Sequence, residues 1–383
     1  MKVENRIAPE SEIVSSVKTE NEDGLTRKRN YEWLLVSIPA LLAIFLGLFW
    51  LATGIIILAF IAFLFRSLNF LRRSQIVLAF CLLSAVTVLS VLVRLFVIEV
   101  YNVPSSSMEN ALFPGDNILV SKLNYGPKLP QSPLDIPWVN LFFLLNNAKA
   151  DSVYWDYKRL NGYSEVKRND IVVFKGVENP DEFVVKRCIG LPGERISIRN
   201  SEVVVNNKVL SMPHTQKKRT RVWLKGLPGF LKFADTSGIV YGVQGDNLVK
   251  DINLTQQKKR ELTTLNLTDS IQYVPVEGES FTGKGWGWSA AELGPILIPS
   301  KGLRIELNRR NFFIYRYVIN HFEKALLWYN DGQFYLNGNP VSSYTFKYNY
   351  YFMIGDNWSY SRDSRFWGFL PEVNIVGKEV LTF

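Results

Sequence analysis

Histidine and cysteine are nearly missing from this chain of 383 residues, which has two of each. His214 and His321 stand in no recognisable triad context, so a hydrolase built on a histidine base is not the natural reading. Cys81 falls in an apolar run and Cys188 in the distal part of the chain. No disulfide is expected between them, and the redox compartment is left undetermined. No group of residues has metal-ligand spacing, so neither a metal nor another cofactor is expected. Long basic runs are missing too. The net charge is +9, yet the basic stretches Arg27-Lys28-Arg29, Lys217-Lys218-Arg219 and Lys258-Lys259-Arg260 are short. Solvated loops and membrane topology account for them without nucleic acid. A cleavable signal peptide is not expected, because the first apolar run starts late and is too long for one.

What the chain does have is apolar sequence concentrated before Val100. Residues 1–30 carry six basic and six acidic side chains with little apolar periodicity, and read as a disordered cytoplasmic tail. The run from Trp33 to Phe65 would make one helix about 50 Å long, against a hydrocarbon core of roughly 30 Å. A hairpin of two spans, about 33–50 and 51–65, turning near Thr53-Gly54, fits the bilayer better. Basic residues on both flanks (Arg27, Lys28 and Arg29 before; Arg66, Arg72 and Arg73 after) place both ends in the cytoplasm. A third span at about 76–98 then delivers the chain to the far side, and a single tilted span over Trp33–Phe65 is the alternative. Residues 31–100 are thus read as a membrane anchor, with the lipid bilayer as partner.

From Tyr101 onward the pattern is that of β-sheet. Asp170-Ile171-Val172-Val173-Phe174 and Glu182-Phe183-Val184-Val185 are short β-branched runs bounded by turn residues, and Asn330-Asp331-Gly332 and Asn337-Gly338 mark tight turns. Ile196 to Leu210 aligns without gaps on Leu327 to Val341, a faint internal repeat. Residues 101–383 are expected to form one all-β domain with an insertion at about 212–299, rich in Gly, Lys and Trp. Trp286 and Trp288 fit either an apolar edge facing lipid or ordinary core.

Ser107 stands seven residues after Val100, so an extended chain keeps it within ~25 Å of that point. Lys186 is flanked by branched apolar residues in Val184-Val185-Lys186-Arg187. A serine hydroxyl needs a base, and a lysine whose pKa is lowered by burial can be one. Taken singly, each residue has a plainer reading: serines in a run are usually loop or cap residues, and a lysine between valines usually faces solvent by strand alternation. Ser15-x-x-Lys18 lies in the polar tail and is set aside.

Jointly, the motifs are specific. Pro104-Ser105-Ser106-Ser107-Met108, then Leu112, Pro114-Gly115-Asp116 and Val120-Ser121-Lys122, resembles the nucleophile box of bacterial type I signal peptidases. Arg168 to Phe174 resembles their next strand, and Lys186 to Glu194 their lysine box. Gly355-Asp356-Asn357, with Ser361, Asp363-Ser364-Arg365 and Trp367-Gly368, is similar to their final box. The resemblance implies transmembrane α-helices followed by the family's β fold, shared with self-cleaving Ser-Lys repressor peptidases. It implies a serine endopeptidase of the cytoplasmic (inner) membrane, with residues 101–383 on the extracytoplasmic side. Its partners would be signal-peptide-bearing preproteins, cut after small residues of Ala-x-Ala type, and the placement is compatible with contact to the secretion machinery. It gives Ser107 and Lys186 the catalytic roles, and assigns the oxyanion hole to Ser105 with the Ser107 N–H. Ser361 would orient Lys186 by a hydrogen bond. The substrate walls fall on Tyr101, Val103, Pro104, Met108, Val184 and Val185, and Asp356, Asp363 and Arg365 give structural support. Trp358, Ser359 and Tyr360 depart from the more polar residues usual at those positions. The readings set against this are a self-cleaving repressor, which would need a DNA-binding domain that is not visible, and a non-catalytic membrane-anchored β scaffold of the same fold.

Overall fold

The computed structural model describes residues 75–132, 155–244, 248–282 and 287–383, with single positions at 37, 38, 41, 56, 59, 60 and 135. It divides into two compact units, Met1–Val97 with Ser132–Val153 and Ile98–Gln131 with Tyr154–Phe383. The expected spans at 33–50 and 51–65 lie almost wholly outside the described residues. Over the expected third span the backbone is helical as α1, Gln75–Phe96, although several of its first side chains are not described. Among the described residues no helix is long and apolar enough to cross a membrane.

The second unit begins with β1 (Ile98–Asn102), β2 (Asn117–Ser121), β3 (Ile171–Lys175), β4 (Phe183–Gly190), β5 (Arg195–Arg199), β6 (Glu202–Val205) and β7 (Lys208–Val209). The segment expected to be an insertion then supplies β8 (Lys217–Leu224), α2 (Leu227–Ser237), β9 (Gly242–Gln244), β10 (Leu248–Thr255), α3 (Gln256–Thr264) and β11 (Thr268–Tyr273). After it come β12 (Leu293–Leu297), β13 (Arg304–Glu306), α4 (Arg309–Phe322), β14 (Leu327–Asn330), β15 (Gln333–Leu336), β16 (Asn339–Val341) and β17 (Ser343–Thr345). The chain closes with β18 (Tyr350–Ile354), α5 (Ser364–Trp367), β19 (Leu370–Pro371) and β20 (Ile375–Thr382).

The largest sheet is antiparallel, in the order β1-β2-β20-β3-β4-β18-β19. From Val185 to Gly190 strand β4 is buried at every residue, because elements cover both faces of the sheet there. The alternation that would turn a lysine to solvent on a half-exposed strand does not operate on a strand covered on both sides.

The domain is β-rich but not all-β. Asn308 caps α4 by accepting from Asn311 N at 2.9 Å, and Phe312, Tyr315, Val318 and Ile319 recur at helical spacing on its buried side. α2 has Pro228 in its first turn and ends on Gly238, whose φ of 60° terminates it in the left-handed region. β8 to β11 form their own sheet, ordered β11-β8-β10-β9, with a separate core of Val222, Leu224, Phe230, Ile252, Leu254 and Leu262. That sheet ends at Tyr273, since β12 pairs with β5 elsewhere.

The faint repeat is a repeat of structure. β5-β6-β7 and β14-β15-β16 are both three-stranded meanders, and each uses two two-residue turns at matching positions. All the turn residues (Asn200, Ser201, Asn206, Asn207, Asp331, Gly332, Asn337 and Gly338) have positive φ, which is what Asn, Asp and Gly tolerate in type I′ turns. Trp288 packs against the main core, whereas Trp286 lies outside the described residues.

Candidate active site

Three segments meet near the middle of β4. The loop after β1 carries Ser107 in a short 3₁₀ turn, Ser106–Met108. β4 carries Lys186, held in register opposite Val172 of β3. β18, the other neighbour of β4, ends at Ile354 and hands the chain to Gly355, Asp356 and Asn357. Lys186 Nζ lies 2.6 Å from Ser107 Oγ and donates to the Val185 carbonyl at 3.0 Å. The lysine is 4 % exposed and the serine 6 %. Burial pulls the Lys186 pKa from 10.5 down to about 8; Asp363 opposes that shift and Arg365 adds to it. Ser105 Oγ is 3.2 Å from Ser107 Oγ.

Two buried ion pairs fix the segment after β18. Arg187 donates from Nε to Asp356 Oδ1 at 2.7 Å and from Nη2 to Oδ2 at 2.6 Å, and the Thr215 hydroxyl donates to the same carboxylate. Arg365 makes a second two-pronged pair with Asp363, at 2.7 and 2.8 Å, with both side chains fully buried. Arg365 also donates to the carbonyls of Trp358 and Ser361, and Asp363 accepts from Gly355 N at 3.1 Å. Asp356, Asp363 and Arg365 thus belong to two ion pairs, because Arg187, one position past Lys186, takes Asp356.

A serine hydroxyl touching a buried lysine amine, with a second hydroxyl alongside, can carry nucleophilic attack on a carbonyl. The profile of the family described as signal peptidase, peptidase S26, matches residues 73–281 and 342–383, more than half of the chain. The chain belongs to this signal peptidase family. Its curated relatives include the signal peptidase I of Buchnera aphidicola subsp. Baizongia pistaciae, 27 % identical over 318 residues, 82 % of this chain and 79 % of that protein. The signal peptidase I of Haemophilus influenzae is 25 % identical, covering 75 % of this chain and 63 % of its own. That of Aquifex aeolicus is 23 % identical, covering 81 % and 84 %. The family profile passes over residues 282–341, which hold α4 and the second meander.

Within this signal peptidase family member, the expected wall residues are not all gathered. Val103, Met108 and Val185 share one buried cluster, with Tyr101 packed against it. Val184 packs instead with the cluster around Val172 and Phe174, since neighbours on a strand point to opposite faces. Pro104 is exposed beside the loop. The expected hydrogen bond from Ser361 to Lys186 is not made. Ser361 Oγ is buried without a hydrogen-bond partner, close to Gly355. The bonds of Lys186 Nζ run to Ser107 and to the adjacent carbonyl instead.

Other contributors were not assigned from sequence. Asn357 N donates to the Ser107 carbonyl at 3.0 Å, and its side chain donates to the Ser106 carbonyl at 3.0 Å. Gly355 leaves room that a side chain would fill: a Cβ there would lie 2.2 Å from Ser361 Oγ and 2.5 Å from the Ser107 carbonyl. Lys217, expected on a solvated loop, is buried in β8 and pairs with Glu109 at 2.8 Å. The Gly-Asp-Asn sequence was the available signal for Gly355 and Asn357, whereas nothing local marked Lys217. His214 and His321 are both exposed, and His321 Nδ1 is turned to the Tyr317 carbonyl of its own helix. Both cysteines are free thiols, and among the described residues no cluster of metal-ligating side chains could hold an ion.

Proposed function

We propose that this protein is a membrane-anchored serine endopeptidase that removes signal peptides from secreted preproteins after small residues, with Ser107 as nucleophile and Lys186 as general base. The observation that carries the reading is the 2.6 Å approach of Lys186 Nζ to Ser107 Oγ within buried surroundings. With a pKa of about 8, roughly a tenth of the lysine is neutral at pH 7. The neutral amine takes the hydroxyl proton as Ser107 Oγ attacks the scissile carbonyl. The oxyanion receives hydrogen bonds from the Ser105 hydroxyl and the Ser107 N–H, each typically worth ~2.7–4 kcal/mol. Lys186 then returns the proton to the leaving amine, and an acyl ester remains on Ser107. Water, deprotonated by the same amine, hydrolyses the ester.

Tyr101, Val103, Met108 and Val185 supply apolar walls suited to small substrate side chains, with Pro104 at their rim. The apolar sequence before Val100 supports an anchor that holds this site at the bilayer surface. The substrate's own apolar helix is confined to the same surface, which raises the effective concentration of both partners. Residues 101–383 would then be the extracytoplasmic catalytic domain of an inner-membrane protein, beside the secretion machinery that delivers preproteins.

The test is cleavage of a preprotein by the full chain. Ser107→Ala and Lys186→Ala should each abolish it while the protein stays folded, and the double variant should lose little more than either alone. Retention of most activity by Lys186→Ala would rule out the dyad.

A further inference from the structure

Strand β8 begins with two lysines that flank the final box on its two sides. Lys217 N donates to the Asp356 carbonyl at 2.9 Å, and Lys217 Nζ is 2.8 Å from Glu109 Oε2, which also accepts from the Asn357 side chain. The next side chain is directed the other way by strand alternation. Lys218 Nζ lies 4.9 Å from the centre of the Trp358 ring, and Arg365 Cζ lies 4.2 Å from the same ring. One residue further, Arg219 N donates to Ser359 Oγ at 3.0 Å. Trp358 is 1 % exposed, and its ring N–H has no acceptor. Burial and the two cations over its face therefore hold the ring in place. The segment so held grips the nucleophile loop, because Asn357 donates from its backbone to Ser107 and from its side chain to Ser106.

We infer that Trp358, gripped by Lys218 and Arg365, is a positioning residue for the Ser107–Lys186 pair, and that strand β8 is part of the active-site framework. The inference rests on the dyad reading given above. In this reading the β8–β11 sheet braces the final box through one aromatic ring and through hydrogen bonds donated by two backbone amides, Lys217 N to the Asp356 carbonyl and Arg219 N to Ser359 Oγ. The consequence is geometric, since a shift of about 1 Å in a reacting group can cost on the order of 10²-fold in rate. It is also electrostatic. Asp363 and Arg365 are the charges that bear on Lys186, and Arg365 is the one seated on the Trp358 ring. Without the ring, water reaches this corner and the ammonium form of Lys186 is favoured. Lys218 is itself half-buried, with Glu202, Arg365 and Lys259 as the charges that bear on it, and its Nζ donates to the Ser201 carbonyl at 2.5 Å.

The experiment measures kcat, KM and the pH profile of kcat/KM for the full chain acting on a preprotein with an Ala-x-Ala signal. Trp358→Ala, Trp358→Phe and Lys218→Met are compared with Ser107→Ala and with Phe233→Ala, which removes a buried α2 ring from the separate core under the β8–β11 sheet. Trp358→Ala should lower kcat by about tenfold or more with KM changed less than about twofold. It should also move the acid limb upward by about half a pH unit or more. Trp358→Phe should recover most of the loss, and Lys218→Met should fall between them. Phe233→Ala should keep kcat even where its melting temperature falls as far as that of Trp358→Ala. Wild-type kcat and an unmoved limb in Trp358→Ala would overturn the inference, as would an equal loss of kcat in Phe233→Ala at equal melting temperature. If Trp358→Ala does not fold, wild-type behaviour of both Trp358→Phe and Lys218→Met overturns it. Undiminished cleavage by Ser107→Ala would instead remove the dyad reading on which the inference stands.

Discussion

Replacing Lys186 with methionine separates the demands of catalysis from those of folding. Burial holds the lysine pKa at about 8 instead of 10.5. Between those values the unfolded chain keeps a proton that the folded chain has released, so stability rises with pH across that window. Below pH 8 the folded state bears the whole cost of a buried ammonium. A difference of about 2.5, at 1.36 kcal/mol per pKa unit, amounts to about 3 kcal/mol. Methionine keeps the stem and removes the charge. It also removes the hydrogen bonds to Ser107 and to the Val185 carbonyl, each worth roughly 1 kcal/mol net. Lys186→Met should therefore be inactive yet more stable at pH 7 by about 1 kcal/mol. By pH 10 the relief of charge is worth less than about 1 kcal/mol, and the gain should vanish or reverse. Urea unfolding of the full chain in detergent micelles at both pH values reads this directly. A loss of stability at pH 7, or a gain that does not change with pH, would refute the desolvation argument.

Two further outcomes follow from particular contacts. Gly355→Ala should cost cleavage on the order of 10²-fold and lower stability by about 1–3 kcal/mol, since the new methyl would meet Ser361 Oγ and the Ser107 carbonyl; rate and melting temperature together check this. For topology, protease added outside spheroplasts should digest residues 101–383 and spare an N-terminal tag, and loss of the tag would support a single tilted span over Trp33–Phe65.

The parts of the fold that could be read in the sequence are those set by local chemistry. Each turn of the two meanders opens on Asn or Asp at positive φ (Asn200-Ser201 and Asn206-Asn207 in the first, Asp331-Gly332 and Asn337-Gly338 in the second), so both left a visible mark, and the repeat between them follows from the matching turns. Ser107 and Lys186 stood out because their boxes combine several residue types in order. What stayed hidden depends on partners distant in sequence. Lys217 pairs with Glu109 in the nucleophile loop, and Trp358 is buried in the main core with Lys218, from the distant strand β8, over its ring. Arg187 and Asp356 are 169 positions apart and meet only because β4 and β18 are neighbours in the sheet. α4 was legible in principle, since Phe312, Tyr315, Val318 and Ile319 have helical spacing, but the surrounding strand signals masked it. The Ser361–Lys186 hydrogen bond implied by the resemblance depends on side-chain placement of a few ångströms, which no motif specifies.

The most direct test of the central claim is the pH dependence of kcat/KM for the full chain on a preprotein. If Lys186 is the base proposed above, it must be neutral to accept the Ser107 proton, and activity should rise with pH along a single acid limb near pH 8. That limb should stay in place in His214→Ala and in His321→Ala. A flat profile between about pH 6 and 9, or a limb near the ordinary histidine value of about 6.5 that disappears in either histidine variant, would contradict the assignment of Lys186 as the base.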